Sequence, residues 1–533
     1  MEMSAKIEER IKKINMTPGQ MALMGMLILQ VIGLFIMNLT MVNVRIDGDS
    51  ANLFTHMIRM AEEKTYIIPG WLYTTSLEID CSVLLAMPLY MLTGSIGVSV
   101  AISNLIFTLL FIYVWMLILK KESLWVRLLF ANLVLIPFRT GMLDYYNMMF
   151  FAGGQYQIRI LIVSLLIYIL LESEESPKIK QYLTLSGLFV VLLFISSLSS
   201  GMYVMLMGLF PVTMVYFLIH FISWKKVPVY IWGLGVISAL SALCGIMLNN
   251  RIFIGERYTL SINYTALPIM YDYPTRAFWG VYELLGAVSY SGELPAMSPE
   301  GVFFLFRFVL VSLLYLSVGY SIWRIIRKKA SKFEALAVGL IVWNFFVNVV
   351  FMTCYSSATF EYRYHIIIVI PAMAILCRHI YALINTLKLP QQKTIVMTAL
   401  ICMLFAVGVY HYGKFIKEED PNTTAEEISE YCESLGCDQV YVYFSQELSE
   451  LVRYFSGGRD YTRMLANGHT YIRDYYLDCH DRPIEPTEKS LFVFAVKDLP
   501  DFEISTETGG SFDKYELKPL KQIGDYFVFA VNE

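Results

Sequence analysis

Polar and apolar positions alternate along this chain in long blocks. A polar start gives way to an apolar run from Met21 to about Met41. Ten further apolar blocks follow, near 96–118, 123–137, 156–171, 182–197, 201–222, 228–248, 301–323, 334–352, 365–385 and 394–411. A helix needs ~20 apolar residues to cross the hydrocarbon of a bilayer. The pattern therefore predicts about 11 spans, with 123–137 the shortest, and a further buried or interfacial segment at 80–95. The polar residues between blocks are not evenly distributed. Lys120/Lys121/Arg127, Lys178/Lys180, Lys225/Lys226, Arg324/Arg327/Lys328/Lys329/Lys332 and Arg378/Lys388/Lys393 fall in alternate loops, and Lys6, Arg10, Lys12 and Lys13 precede the first span. The positive-inside rule places these loops and the N-terminus in the cytoplasm. The opposite face then holds the loops 42–95, 138–155, 249–300 and 353–364, and everything after the last span.

Beyond His411 the pattern changes to that of a water-soluble domain. TTAEEISEYCESLG reads as a helix with Thr423 or Thr424 as N-cap and Gly436 as its stop. DQVYVYF reads as a strand, SQELSELVRYFSGG as a second helix, and LFVFAV (491–496) and DYFVFAV (525–531) as later strands. The expected fold class is a polytopic α-helical membrane protein, 1–411, carrying a small extracytoplasmic α/β domain, 412–533. Composition agrees: 56% of the 533 residues are hydrophobic and 16% charged, against ~25% charged in a soluble domain. The net charge of −4 conceals an asymmetry. Residues 412–533 carry 24 acidic and 12 basic side chains, whereas 1–411 carry 21 and 29. The eight cysteines form no CxxC pair, so a metal or dense disulfide framework is not expected. No HExxH, Walker loop or GxSxG occurs.

Candidate chemistry clusters in the outer loops. Asp47 and Asp49 follow the first span as a DxD, which in an extended segment puts two carboxylates on one side, able to share a cation or divide base and ligand roles. SANLFTHMIRMAEE behind them reads as an amphipathic helix lying on the membrane surface. Arg363, between Tyr362 and Tyr364 and followed by His365, stands at the start of the tenth span. A guanidinium there grips a phosphate in bidentate fashion, or anchors the helix end, or pairs with Glu361. Asp144, Glu78 and Asp80 are further outer acids, with Arg139 and Arg159 bracketing the second outer loop. The tyrosines from Tyr258 to Tyr290 read as an aromatic belt or a carbohydrate platform.

Tyr362-Arg363-Tyr364 followed by HIIIVIPAMAIL resembles the signature that opens a late span in bacterial relatives of protein O-mannosyltransferases and aminoarabinose transferases. PLYMLTGSIGVSVAISNLIF (88–107) is similar to their entry into the second span. The chain thus resembles the GT-C superfamily of membrane glycosyltransferases over most of 20–385. That resemblance implies an inverting enzyme at the outer face, taking its sugar from a polyprenyl-phosphate donor to a cell-envelope glycan, lipid or protein. It assigns Asp49, with Asp47 as second choice, the role of general base. Ser50 follows Asp49 where relatives have an Asp-Glu pair. Arg363, with Tyr362, Tyr364 and His365, falls where relatives hold the donor phosphate, and Asp144, Glu78 and Asp80 are the acceptor or metal candidates. Magnesium or manganese stays open as a cofactor, and no nucleic acid partner is expected. An O-antigen-type polymerase or ligase and a lipid-linked glycan flippase are the alternatives.

Overall fold

The computed structural model describes residues 16–531 except 69–70, 72, 74–75, 140–143, 174–178, 224–225, 253–260, 265–272, 289–293, 355–361, 418, 444, 458–460, 465–469, 472–486 and 500–516. The basic residues ahead of the first span, Lys178, Lys225, Glu361 and much of the Tyr258–Tyr290 run lie outside the described residues.

Each predicted apolar block is a helix. The first, α1 (Pro18–Thr40), opens with Thr17 and Gln20 capping each other and Pro18 at its first position, where a missing N–H costs nothing. It is followed by α2 (Gly48–Glu62), α3 (Val83–Thr93), α4 (Ile96–Ile118), α5 (Leu124–Val134), α6 (Tyr145–Phe150), α7 (Gln157–Glu172) and α8 (Ile179–Ser200). Then come α9 (Phe210–Ile222), entered through a π-helical turn, α10 (Val229–Ile252), α11 (Tyr273–Leu284), α12 (Pro299–Ile326), α13 (Lys332–Val350), α14 (Ile366–Asn385) and α15 (Pro390–Lys417). Among the described residues, nine helices are long and apolar enough to cross a membrane. The chain is a multi-pass membrane protein. At 1.5 Å per residue, α5 and α7 span only about 16 and 24 Å. Both are buried nearly all round, so they fill the centre of the bundle rather than face lipid. Pro137 follows α5 closely, and a proline disfavours helical backbone just before it.

The two ends of the bundle differ. One end gathers the basic loops and ties them with charges: Lys120 to Glu172, Arg378 to Glu122 at 2.8 Å, and Arg378, Arg324 and His379 around the buried Glu334 at 3.5, 3.5 and 3.2 Å. The other end carries α2, residues 135–139 and 144–156, and a two-stranded ribbon of β1 (Ser261–Tyr264) with β2 (Phe351–Cys354).

The α/β domain follows α15. Helix α16 (Thr423–Ser434) stops before Gly436, whose φ of +64° is left-handed and costs glycine nothing. Helix α17 (Gln446–Phe455) lies between strands β3 (Gln439–Tyr443) and β4 (Tyr461–Met464). With β5 (Thr470–Tyr471), β6 (Ser490–Ala495), β7 (Leu517–Ile523) and β8 (Tyr526–Val531) these form one sheet in the order β5-β4-β3-β6-β8-β7. The central β4-β3-β6 pairs are parallel, and β6-β8-β7 antiparallel. Period-2 alternation sends Tyr441, Tyr443, Phe492 and Phe494 into one cluster and Val440, Val442, Leu491 and Val493 into the main core. The expected N-cap of α16 needs correction. Asn422, not a threonine, holds that position, and its side chain makes no capping bond. Instead its amide donates to the carbonyls of Asn43 and Ile46, at 3.2 and 3.0 Å. Buried acceptors across the domain boundary win over a cap that water could satisfy.

Candidate active site

The DxD does not remain extended. Asp47 is the N-cap of α2, its carboxylate accepting from the Ser50 amide at 2.7 Å, as short acidic caps do. That bond winds the next residues into the first helical turn and separates the two carboxylates. Asp47 is 5% exposed; burial, then the charge of Asp49, pushes its carboxyl up to about 6. Asp49 projects outward, its side chain 57% exposed, at a helix N-terminus that favours negative charge.

Arg363 meets Asp49 here, Nη1 to Oδ2 at 3.7 Å. It sits in the 3-10 turn Tyr362–His365 that leads into α14, with the Tyr364 ring centroid 5.9 Å from its guanidinium. Tyr362 packs under Arg139 at 5.4 Å, and Arg139 pairs with the buried Asp144 at 3.2 Å. Asp144 therefore braces the turn that carries Arg363. His365 points into the bundle, fully buried, with Nδ1 3.3 Å from Asn348.

Glu78 and Asp80 do different things. Asp80 is buried and bidentate to Arg159, at 2.9 and 3.1 Å, and accepts from the hydroxyls of Ser196 and Ser199 at 2.8 Å. Burial opposes its ionisation, but Arg159 and the serines hold its carboxyl below the usual range. It pins the connection between α2 and α3 to α7 and α8. Glu78 has a φ of +58°, rare for a residue with a side chain and typical of sites where strain is kept for a purpose. Its Oε2 is 3.9 Å from Nδ1 of His56. The His56 ring is fully buried, stacked on Trp71 at 4.4 Å with Tyr73 edge-on at 5.3 Å. Burial, then Arg453, pushes His56 down to about 3. Burial, Asp49 and Glu450 push Glu78 up to about 8. At pH 7 the two make a neutral pair, with the proton on Glu78.

This has a measurable consequence. Folded Glu78 holds its proton to higher pH than it would unfolded, so its own contribution to stability falls as pH rises from about 4.5 towards about 8, while buried neutral His56 contributes in the opposite sense from about 3 to 6.5. Glu78→Gln is expected to flatten the decline above pH 6.5, where neither His56 nor Asp47 any longer titrates. Thermal midpoints in detergent between pH 5 and 8.5 check this; an unchanged slope in the variant refutes it.

Among the described residues no three His, Cys, Asp or Glu side chains converge as metal ligands. The acids instead answer to arginines: Asp49 to Arg363, Asp80 to Arg159, Asp144 to Arg139. The site does hold residues that sequence reading missed. Helix α17 lies along α2, and a Cβ added at Gly48 would come within 3.0 Å of the Glu447 backbone. Glu447 thereby comes near Asp49, Glu450 near Glu78 and Arg453 to Asn52, from about 400 positions away. The signal was Glu450 and Arg453, one helical turn apart among Leu448, Leu451 and Val452.

No protein-family model matches the chain, and no curated protein matches it in sequence. Its structure has clear counterparts. It superposes on ArnT from Cupriavidus metallidurans in the apo state with a TM-score of 0.57, at 12% identity, over 95% of this chain and 98% of that one. Against the same protein bound to undecaprenyl phosphate the TM-score is 0.55, at 14% identity and the same coverage. An oligosaccharyltransferase from Archaeoglobus fulgidus, in complex with Zn and sulfate, gives 0.51 at 10% identity over 95% of this chain and 73% of that one. The chain has the GT-C fold. At 95% coverage the likeness takes in the C-terminal sheet as well as the bundle. Within this GT-C fold Asp49 comes from the helix after the first span, which is largely buried rather than lying on a surface as its sequence suggested, and Arg363 from the turn before a late span.

Proposed function

We propose that the protein is an inverting glycosyltransferase. It moves a sugar from a polyprenyl-phosphate donor to a hydroxyl of an envelope acceptor, at the outer face of the membrane. The observation that carries this reading is the Asp49–Arg363 pair, 3.7 Å apart and both partly open to solvent. An exposed ion pair adds only ~0–1 kcal/mol to stability, so folding alone gives little reason for it. The chemistry of the transfer gives a better one. The acceptor oxygen attacks the anomeric carbon as the bond to the donor phosphate breaks. The electron pair leaves on the phosphate, where Arg363 stabilises it, and the hydroxyl proton passes to Asp49. Attack opposite the leaving group inverts the anomeric centre. Phosphate binding at Arg363 also draws the guanidinium off Asp49 and frees the carboxylate to act as base. Asp47, already capping α2, holds the helix start rather than taking the proton.

The likeness to a protein that binds undecaprenyl phosphate supports the donor class. The basic end of the bundle supports a cytoplasmic N-terminus, with α2 and the α/β domain outside. In liposomes with a panel of labelled polyprenyl-phosphate sugars, wild type is expected to release free polyprenyl phosphate, and with an acceptor to transfer the label. No release from any donor in the panel overturns the reading.

A further inference from the structure

The α/β domain does not merely sit beside the candidate catalytic helix. The segment that leads into it, Asn43–Ile46, is a single short 3-10 turn, its Arg45-to-Val42 bond a long 3.4 Å. Its polar groups are met by residues from beyond the last span. The amide of Asn422, 4% exposed, donates to the carbonyls of Asn43 and Ile46 at 3.2 and 3.0 Å. The hydroxyl of Tyr454 donates to the side chain of Asn43 at 2.7 Å. The Arg45 guanidinium donates to the Phe415 carbonyl at 2.6 Å and lies 5.1 Å over the Phe415 ring. One turn into α2, Asn52 accepts from Arg453 at 3.1 Å; Arg453 is 2% exposed and also paired with Glu450. Gly48, between the two aspartates, lets the α17 backbone approach closely: a Cβ there would stand 3.0 Å from the Glu447 Cα, tighter than most side chains tolerate.

We infer that the α/β domain is a built-in clamp that sets the position of Asp49, with Asn422 and Arg453 as its positioning residues. This rests on the proposed role of Asp49. Buried carbonyls keep a fixed orientation only while a donor meets them, so losing Asn422 frees the segment whose end is the cap of α2. Arg363 stands on the other side of the pair, in a turn braced by Arg139, Asp144 and the neighbouring tyrosines. The clamp therefore governs the base and leaves the phosphate side in place.

The test uses the full chain. Asn422→Asp, which keeps the shape and loses the donor, and Arg453→Ala are expected to lower kcat about 10²-fold, the scale on which ångström misplacement acts. Binding of polyprenyl phosphate stays within twofold of wild type, and amide exchange speeds up at 43–52. Arg453→Lys, which keeps a cationic donor, recovers most of the kcat lost by Arg453→Ala. Wild-type kcat and unchanged exchange in both Asn422→Asp and Arg453→Ala overturn the clamp. So does a loss of polyprenyl phosphate binding in step with kcat, which marks general damage to the fold. If Asp49→Asn itself turns over normally, the proposed function fails, while exchange at 43–52 still decides whether the domain holds the segment.

Discussion

Asp49→Asn is expected to reduce sugar transfer by at least ~10³-fold, without measurable loss of stability, and Arg363→Ala by ~10²–10³-fold. The first figure lies within the ~10²–10⁴-fold range that a positioned general base contributes. An amide in the same place cannot take the acceptor proton. The second is the scale seen when one group aimed at a developing oxyanion is removed. For Asp49 the absence of a stability effect follows from exposure, its side chain 57% open, since surface substitutions usually stay within ~0.5 kcal/mol. The two should also separate kinetically. Asp49→Asn lowers kcat and leaves polyprenyl phosphate binding intact, since the guanidinium loses only its resting partner. Arg363→Ala weakens that binding as well, and Arg363→Lys recovers part of it as a point charge without the bidentate fork. Initial rates in liposomes and binding of polyprenyl phosphate measure both. If Asp49→Asn retains a tenth of wild-type turnover, the assignment of the base is wrong.

Asp80→Asn is expected to cost ~3–5 kcal/mol of stability, the range for breaking a buried ion pair from one side. The carboxylate is fully buried and holds Arg159 through two bonds and the hydroxyls of Ser196, Ser199 and Ser200. An amide can accept on one atom only, so Arg159 keeps its charge with half its partner, and some of the serine hydroxyls lose their acceptor. Arg159→Ala strands the carboxylate instead and is expected to do similar damage. Removing both, as Asp80→Asn with Arg159→Leu, should cost less than the sum of the single changes, because no unpaired charge is then buried. Denaturation in detergent gives the three values, and the double-variant cycle gives the coupling. Asp80→Asn with wild-type stability would show that the pair is not an anchor. Asp80 carried the same prior as Glu78 on sequence position alone. Their fates differ because one found an arginine and three hydroxyls, and the other a neutral histidine between two aromatic rings.

That contrast marks the boundary between what was legible and what was not. Every apolar block became a helix, since a segment in lipid must satisfy its backbone within itself and length and hydropathy suffice to say so. The helices and strands of the α/β domain followed their local periods too, because one face of each had to be buried, and Gly436 ended α16 where its left-handed backbone was needed. The membrane character, the alternation of basic loops and the resemblance to GT-C enzymes around Tyr362–Tyr364 were all local facts. The DxD, by contrast, was read as an extended pair and became a cap and a first turn, because the Ser50 amide was there to be bonded. Which acid would stay free, that Asn422 would leave its own helix to hold Asn43 and Ile46, and that Asp49 would stand against Arg363 depended on packing between segments up to several hundred residues apart. Periodicity specifies which face of an element is buried. It does not say which polar group on another element that face will bring within hydrogen-bonding distance, and at this site those meetings decide what each charge does.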